Sequence, residues 1–414
     1  MNYIVIGSGY GDEGKGLMTD YLTRQSNADY VVRFNGGPQA GHTVVTESAR
    51  HVFGHVGAGT FAGANTYLTK DFLINPRMLS KELETLKKIG YSPSIVADEM
   101  CNITTVFDVA INTAVEQSRG GNKHGSCGMG INETVVRSLD PAFQISLLQM
   151  RSNSISRIIE KLKKIHLEWV PRRLVEHGLD LKTLPNFIGD FLRSDIDYEA
   201  EAYTMLQGLV HIHMHIGLVD RVSDNIVLEG AQGLALDEDL GHFPYVTRSN
   251  TGATNALKFI RFSNTDYWNY RFEMKDLELV YVTRAYTTRH GAGPLEQENE
   301  NIGKGAAPYD MTNAPNEFQD SMRIAPLNLQ RMKWLIDADI ARAWIVNEDQ
   351  LRKQVVIAIT CLDQLADHVN VVDVNGVTIE MNTADLPDFV ERQLDLKVKY
   401  LSHGPMASNV SIRK

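Results

Sequence analysis

Apolar residues in this chain gather into short runs, and most of these runs stop at a glycine-rich or polar stretch. Tyr3-Ile4-Val5-Ile6 predicts a buried strand, and Leu17, Met18, Tyr21 and Leu22 fall on one face of a following helix. Tyr30 to Phe34 predicts a second strand, residues 77–90 an amphipathic helix closed by glycine, and residues 92–96 a short strand. Ile155, Ile158, Ile159, Leu162 and Ile165 recur at helical spacing, so 150–220 is expected to be a largely helical insertion. Asn225–Leu228, Leu279–Thr283, Val355–Thr360 and Val398–Leu401 read as further strands. Val371–Ile379 alternates around Asn375-Gly376, a hairpin signal. Trp334 and its apolar neighbours are expected in the core.

The loops after these strands carry the chemistry. Gly9-Tyr10-Gly11-Asp12-Glu13-Gly14-Lys15-Gly16 joins strand to helix, where backbone N–H groups and the helix N-terminus can receive a phosphate. Gly9-x4-Gly14-Lys15 is P-loop-like, but Gly16 stands where that motif has a magnesium-binding Ser or Thr. Asp12 and Glu13 would repel phosphate unless a metal or a proton transfer requires them. Asn35-Gly36-Gly37-Pro38-Gln39-Ala40-Gly41-His42-Thr43 ends the second strand, and Gly120 to Gly130 reads as a binding loop. Further strand-to-loop junctions lie at Glu229–Gly233, Thr288–Pro294, Thr360–Asp363 and Ser402–Pro405. This is the pattern of a nucleotide-handling α/β enzyme, with sites at the carboxyl ends of strands. Asp12 and His42 could serve as general base and general acid across one reacting group. The alternative is that Asp12 caps the helix and His42 packs.

Composition narrows the class. The chain has 414 residues, 43% hydrophobic and 22% charged, with formal net charge -10, which argues against sequence-independent nucleic-acid binding. Cys101, Cys127 and Cys361 contain no CxxC, arguing against a disulfide framework or a zinc ribbon and fitting a reducing compartment. No basic n-region or long apolar run suggests a signal peptide or membrane span, so a cytoplasmic protein is expected, in the host cytoplasm if the source is viral. Of His211, His213 and His215, only the first and last would share a helix face, a weak metal signal. Cys127 reads as small loop filler.

Five of these motifs resemble, in order, those of the adenylosuccinate synthetase family. They are Gly11-Asp12-Glu13-Gly14-Lys15-Gly16, Asn35-Gly36-Gly37 with Ala40-Gly41-His42-Thr43, Glu229–Gly233, Pro244–Thr247, and Thr288-Arg289 with Gly291–Pro294. The resemblance implies one domain over 1–414, with a large, mainly parallel central sheet, helical insertions and a P-loop-like site. It implies joining of L-aspartate to IMP at the purine 6-position, with GTP as co-substrate (ATP possible) and Mg2+. Asp12 would remove the purine N1 proton and, with the Gly41 carbonyl, bind magnesium. His42 would be the acid, and Lys15 would neutralise phosphoryl charge. Gly11, Glu13, Gly14, Gly16, Gly41, Thr43, Ser402, Gly404 and Pro405 would surround nucleotide and phosphates, and Asp363 would pair with guanine N1 and N2. Asn35, Gln39, Ser126, Gln232, Thr247, Arg289 and Arg323 would serve the substrates. Arg137 would reach a neighbouring subunit's nucleotide, implying a homodimer.

Departures from the family cluster at the purine and amino-acid subsites. Thr360-Cys361-Leu362-Asp363 lacks the family's base-stacking lysine. Asn316 to Arg323 replaces the arginine-rich loop, leaving Arg323 to hold a carboxylate beside a repelling Asp320. Gln39 replaces a shorter Asn, and Ser126-Cys127-Gly128-Met129 replaces Thr-Thr-Gly-Arg. Retained Asp12 and His42 imply kept catalysis with altered specificity. The runner-up is the phage-type 2-aminoadenylosuccinate synthetase, which takes dGMP; its members typically carry serine where this chain has Asp12. A third possibility, of another class, is an inactive nucleotide-binding or regulatory homologue.

Overall fold

The structure, a computed structural model, describes residues 1–120, 124–215, 225–263, 274–308, 322–343 and 345–413. Ten strands form one sheet: β1 (Asn2–Gly7), β2 (Tyr30–Arg33), β3 (Asn65–Leu68), β4 (Ile95–Asp98), β5 (Ile212–His215), β6 (Ile226–Gly233), β7 (Leu277–Arg284), β8 (Val355–Thr360), β9 (Lys397–Ser402) and β10 (Val410–Ile412). Their spatial order is β10-β9-β8-β7-β1-β6-β2-β3-β4-β5, and only β10 runs antiparallel to its neighbour. The mixed α/β architecture with a large, mostly parallel sheet is the one expected.

β1 is a continuous apolar run because both its faces are covered. Ile4 and Ile6 join a cluster with Leu329, Leu335, Ile336 and Ile340 of the helix Leu329–Arg342. Tyr3 and Val5 join Met18, Tyr21 and Leu22 of the helix Lys15–Ser26 on the other side. β1 pairs in parallel with both β6 and β7, so the loop after β1 emerges between the loops of two neighbours. All strands but β10 point their carboxyl ends toward one edge, which gathers the distant sequence motifs there.

Local signals account for several boundaries. The helix predicted near 77–90 spans Pro76–Lys88, capped by Asn75 Oδ1 on the Met78 N–H and started by Pro76. The expected hairpin pairs His368–Val372 with Thr378–Asn382, and Asp373 accepts from the N–H groups of Asn375 and Val377 in its turn.

Other expectations need correction. Helices do fill much of 147–209, but Ile212–His215 is the edge strand β5, paired in parallel with β4. The strand pairs where β4 leaves its hydrogen-bonding side open, and it removes the helical spacing assumed for His211 and His215. Residues 216–220 of the expected insertion lie outside the described residues. β3 was not predicted, because polar Asn65 and Thr66 leave only Tyr67-Leu68 as an apolar signal. Trp334 is not core: it is 50% exposed, with the Arg331 guanidinium 4.6 Å from its ring centre. Among the described residues no helix is long and apolar enough to cross a membrane.

Candidate active site

A cleft of about 840 Å³ opens along the carboxyl edge of the sheet. Its walls come from the loops after β1, β2, β6, β7, β8 and β9, and include Asp12, Lys15, Gln39, His42, Gln232, His290 and Asp363. That volume suits a sizeable organic ligand.

The P-loop-like turn is built differently from its spacing. Gly14 adopts φ 93, a left-handed conformation that glycine accepts at no steric cost, and the helix starts at Lys15. The backbone N–H groups of Gly9 and Gly11 donate to Glu13 Oε1 at 3.1 and 2.8 Å. Lys15 Nζ lies 2.6 Å from Glu13 Oε2. The chain's own carboxylate therefore fills an amide nest of the kind that binds anions. Glu13 is buried, and it lines a small cavity of about 30 Å³ that shares Tyr10, Gly11 and Arg284 with the cleft. Where the resemblance implied a place at the nucleotide, the structure shows Glu13 holding the loop N–H groups and Lys15. The Thr360 hydroxyl, donating to the Glu13 carbonyl at 2.7 Å, ties the loop to β8.

Gly16 has a packing reason. A Cβ there would lie 2.9 Å from the Thr43 carbonyl oxygen and 3.0 Å from His42 Cβ. The serine or threonine of an ordinary P-loop is excluded because the helix start presses against the hairpin His42–Val45/Arg50–Phe53. That contact places His42 at the cleft.

His42 Nδ1 lies 2.5 Å from Oε1 of Glu229 on β6, and both side chains are buried. Glu229 Oε2 accepts from the Ala58 N–H at 3.0 Å and faces Arg33 Nε at 3.7 Å. Burial pushes the His42 pKa below its ordinary value, and Arg33 and Lys15 push the same way against the pull of Glu229. Burial alone would raise the Glu229 carboxyl, but His42 and Arg33 hold it below the usual carboxylate range. The pair is thus a neutral imidazole whose Nδ1–H donates to an ionised carboxylate. Nε2 has no hydrogen-bond partner among the described residues. The motif Glu229–Gly233 had contained this partner without a role. A carboxylate ending a buried apolar strand was the signal, since a buried charge needs a counterpart.

Asp12 sits at φ 62 in the same loop, its side chain 28% exposed and its carbonyl accepting from Arg284 Nε at 2.5 Å. Gln232 and Cys361 also adopt left-handed backbone, at φ 65 and 60, and all three residues line the cleft. Backbone strain of this kind concentrates where a structure positions groups for ligands. Gly11, Gly14, Gly16, Gly41, Thr43, Gly404 and Pro405 line the cleft as well. Among the described residues no cluster of three or more acids, histidines or cysteines could hold a metal alone. Asp12 supplies one carboxylate to the cleft that the exposed Gly41 also lines, a donor set that fits magnesium, which completes its shell with substrate phosphates and water.

A family model for adenylosuccinate synthetase matches residues 4–323. The chain belongs to the adenylosuccinate synthetase family. The adenylosuccinate synthetase of Methylococcus capsulatus is 30% identical over 313 residues, covering 72% of this chain and 65% of that protein. That of Acaryochloris marina is 32% identical over 312 residues, with 72% and 62% covered. The chain therefore spans just under two thirds of these two relatives. That of Picrophilus torridus is 29% identical over 414 residues, covering 99% and 89%. In fold, the chain is similar to fully ligated adenylosuccinate synthetase from Plasmodium falciparum, with TM-score 0.68, 17% identity and coverage of 100% and 99%. It is also similar to cyanophage S-2L succinoaminodeoxyadenylate synthetase bound to dGMP and dATP, with TM-score 0.57, 16% identity and coverage of 99% and 95%.

Within this family framework several expected substrate residues turn out to hold the scaffold. Arg137 is fully buried and forks onto both Asp108 oxygens at 2.8 and 2.9 Å, with its remaining bonds to the Phe143 and Ile103 carbonyls. Its hydrogen bonds are all made inside the subunit, where the resemblance had implied a reach to a neighbour's nucleotide. Asn35 bridges loops, donating to the Ala231 and Asn250 carbonyls and accepting from the Ala231 N–H. Arg289 donates to the carbonyls of Ala292, Pro294 and Tyr245 and covers the Tyr10 ring. Arg323 binds Glu298 and the Gly291 and Gly293 carbonyls. Ser402 is buried and donates to the Gly404 carbonyl.

The remaining residues are less constrained. Ser126 exchanges hydrogen bonds with Asn112 at 2.9 and 3.0 Å, beside Cys127 and Met129 of the cleft. Thr247 is half-buried, its N–H donating to the Leu236 carbonyl. The Gln39 amide is enclosed and has no partner among the described residues, although it lines the cleft. Asp363 is exposed at the cleft. Residues 316–321 of the replaced arginine loop, with Asp320, lie outside the described residues, as do Gly121, Asn122 and Lys123.

Proposed function

We infer that this protein condenses a 6-oxopurine nucleoside monophosphate, IMP, with L-aspartate at the expense of GTP, giving adenylosuccinate, GDP and phosphate. The observation that carries this reading is the Glu229-held His42, whose Nε2 is unpartnered in a cleft that Asp12 also lines. Asp12 takes the N1 proton as the purine O6 attacks the γ-phosphorus, and the bond to GDP breaks. The amine of aspartate then attacks C6, and the former O6 leaves as part of phosphate. Glu229 fixes the His42 tautomer so that Nε2 meets the phosphoryl group. The negative charge arriving there favours the imidazolium that can donate. Lys15 adds positive charge to the same loop. Magnesium, when held by Asp12 and the Gly41 carbonyl, neutralises charge on the transferring phosphates.

Asp363 supports guanine as the energy donor's base, because its two oxygens can accept from N1 and N2. A second reading takes dGMP with ATP or GTP. The altered purine side, with Cys361 for lysine and Gln39 for asparagine, favours it; the acidic Asp12 favours IMP.

Phosphate release across IMP, dIMP, GMP and dGMP with GTP, ATP and dATP, in aspartate and magnesium, separates the readings. Turnover with IMP that disappears in Asp12→Ala supports the first reading, and turnover confined to dGMP supports the second. Nucleotide binding without turnover in any combination would assign a regulatory homologue.

A further inference from the structure

One histidine in the cleft, its side chain 10% exposed, is left unused by the reaction above. His290 Nε2 is shielded from solvent and takes no hydrogen bond among the described residues. It lies 3.7 Å from Oδ2 of Asp12, and both residues line the cleft. The gap exceeds a hydrogen bond. Among the described residues, however, the Asp12 carboxylate has no other partner. Each group is the other's available complement.

The two sit on supports of different firmness. The loop after His290 is strapped by Arg323, which donates to the Gly291 and Gly293 carbonyls at 2.9 and 2.8 Å. Arg289 holds the next turn through Ala292 and Pro294. Both arginines expected at the substrate therefore fix the loop that presents His290. Among the described residues, the Asp12 carboxylate pairs with this imidazole alone.

We propose that His290 is a positioning residue for Asp12. When the purine monophosphate enters, Nε2–H closes onto one lone pair of the Asp12 carboxylate and fixes its plane, leaving the remaining lone pairs for the purine N1 proton and for magnesium. Catalytic hydrogen bonds are often long in a free enzyme and tighten with substrate bound. A carboxylate oxygen held by one donor also loses the rotational freedom that would blur its aim. The inference rests on the reaction proposed above and adds a residue outside its base and acid.

The test combines kinetics with ring-nitrogen NMR. His290→Leu should lower kcat by about 10-fold or more, with the KM of monophosphate, triphosphate and amino acid each within about 3-fold. His290→Gln, which keeps an N–H at similar reach, should recover most of that loss. In 15N-histidine protein, the His290 ring signals should shift on adding IMP or dGMP and fail to shift in Asp12→Ala. Unchanged kcat in His290→Leu, a rise in amino-acid KM alone, or ring signals indifferent to Asp12 would overturn the proposal. If no monophosphate supports phosphate release, the proposed reaction falls, and the ring signals still decide whether the pair forms.

Discussion

His42 Nδ1 meets Glu229 Oε1 at 2.5 Å, although 187 positions separate the two in sequence. The contact spans the loop after β2 and the strand β6, which are neighbours in the sheet. It fixes which imidazole nitrogen faces the cleft. Glu229→Gln can present an amide N–H to Nδ1 and impose the other tautomer. It should lower kcat about 100-fold with substrate KM values nearly unchanged. Steady-state kinetics check this, and a loss confined to KM would refute the orienting role.

Glu13 is a structural anion. Glu13→Ala removes the partner of buried Lys15 and the acceptor for two loop N–H groups. Breaking a buried pair from one side should cost about 3–5 kcal/mol. Urea unfolding measures it; stability equal to wild type would contradict the internal-anion account.

Gly16 should tolerate no side chain. Gly16→Ser restores the ordinary P-loop sequence, yet its Cβ meets backbone atoms of His42 and Thr43 at 2.9 to 3.1 Å. Overpacking costs roughly 1–3 kcal/mol, and the hairpin must move, carrying His42 with it. The variant should lose activity by a larger factor than its lowered Tm explains. Wild-type kcat in Gly16→Ser would show that the contact is slack.

Arg137 separates scaffold from interface. Arg137→Met strands Asp108 in the interior and should destabilise by about 3–5 kcal/mol. The oligomeric state of the folded fraction, read by sedimentation, should stay that of wild type. A change in assembly with stability retained would restore the intersubunit role.

Glu133 sets a pH dependence in the helical region. Burial raises its carboxyl, but His177 and Arg173 outweigh this and hold the pKa at about 2, against 4.5 unperturbed. The pair geometry agrees, with Arg173 Nε 2.6 Å and His177 Nε2 3.3 Å from its oxygens. A depressed carboxylate stabilises the fold above its unfolded pKa, and that stability is lost as pH falls from about 4.5 toward 2. Glu133→Gln should therefore be less stable than wild type at pH 7 by about 3 kcal/mol, and the gap should narrow by pH 3. A gap independent of pH would contradict the assignment.

Strand-forming runs and their glycine-rich ends were legible because both depend on local pattern. β1, β6, β7 and β8 are each covered on two faces, and their sequences read as continuous apolar segments. β3 and β5 were missed because their signal is pairing with a neighbour, which spacing does not record. Among the site candidates, residue type alone did not separate a ligand-facing arginine from one that holds carbonyls. Arg137, Arg289 and Arg323 each bond carbonyls of their own chain, and Arg137 and Arg323 a carboxylate too, since a guanidinium has five donors to satisfy. Glu13 misled for a related reason: an acid in an anion-binding nest reads as a phosphate clash until Lys15 is seen beside it. Asp12 and His42 could be singled out from their loops, and both line the cleft, but Glu229 and His290 acquire meaning only through contacts across the sheet edge.

The central claim concerns where the purine oxygen goes, and that can be followed directly. IMP labelled with 18O at the 6-position would be turned over with GTP and aspartate, and the released phosphate analysed by mass spectrometry. The account predicts one 18O in each phosphate released, because O6 attacks phosphorus and later departs with it. Unlabelled phosphate would mean that water attacks the triphosphate, and the proposed coupling would be wrong.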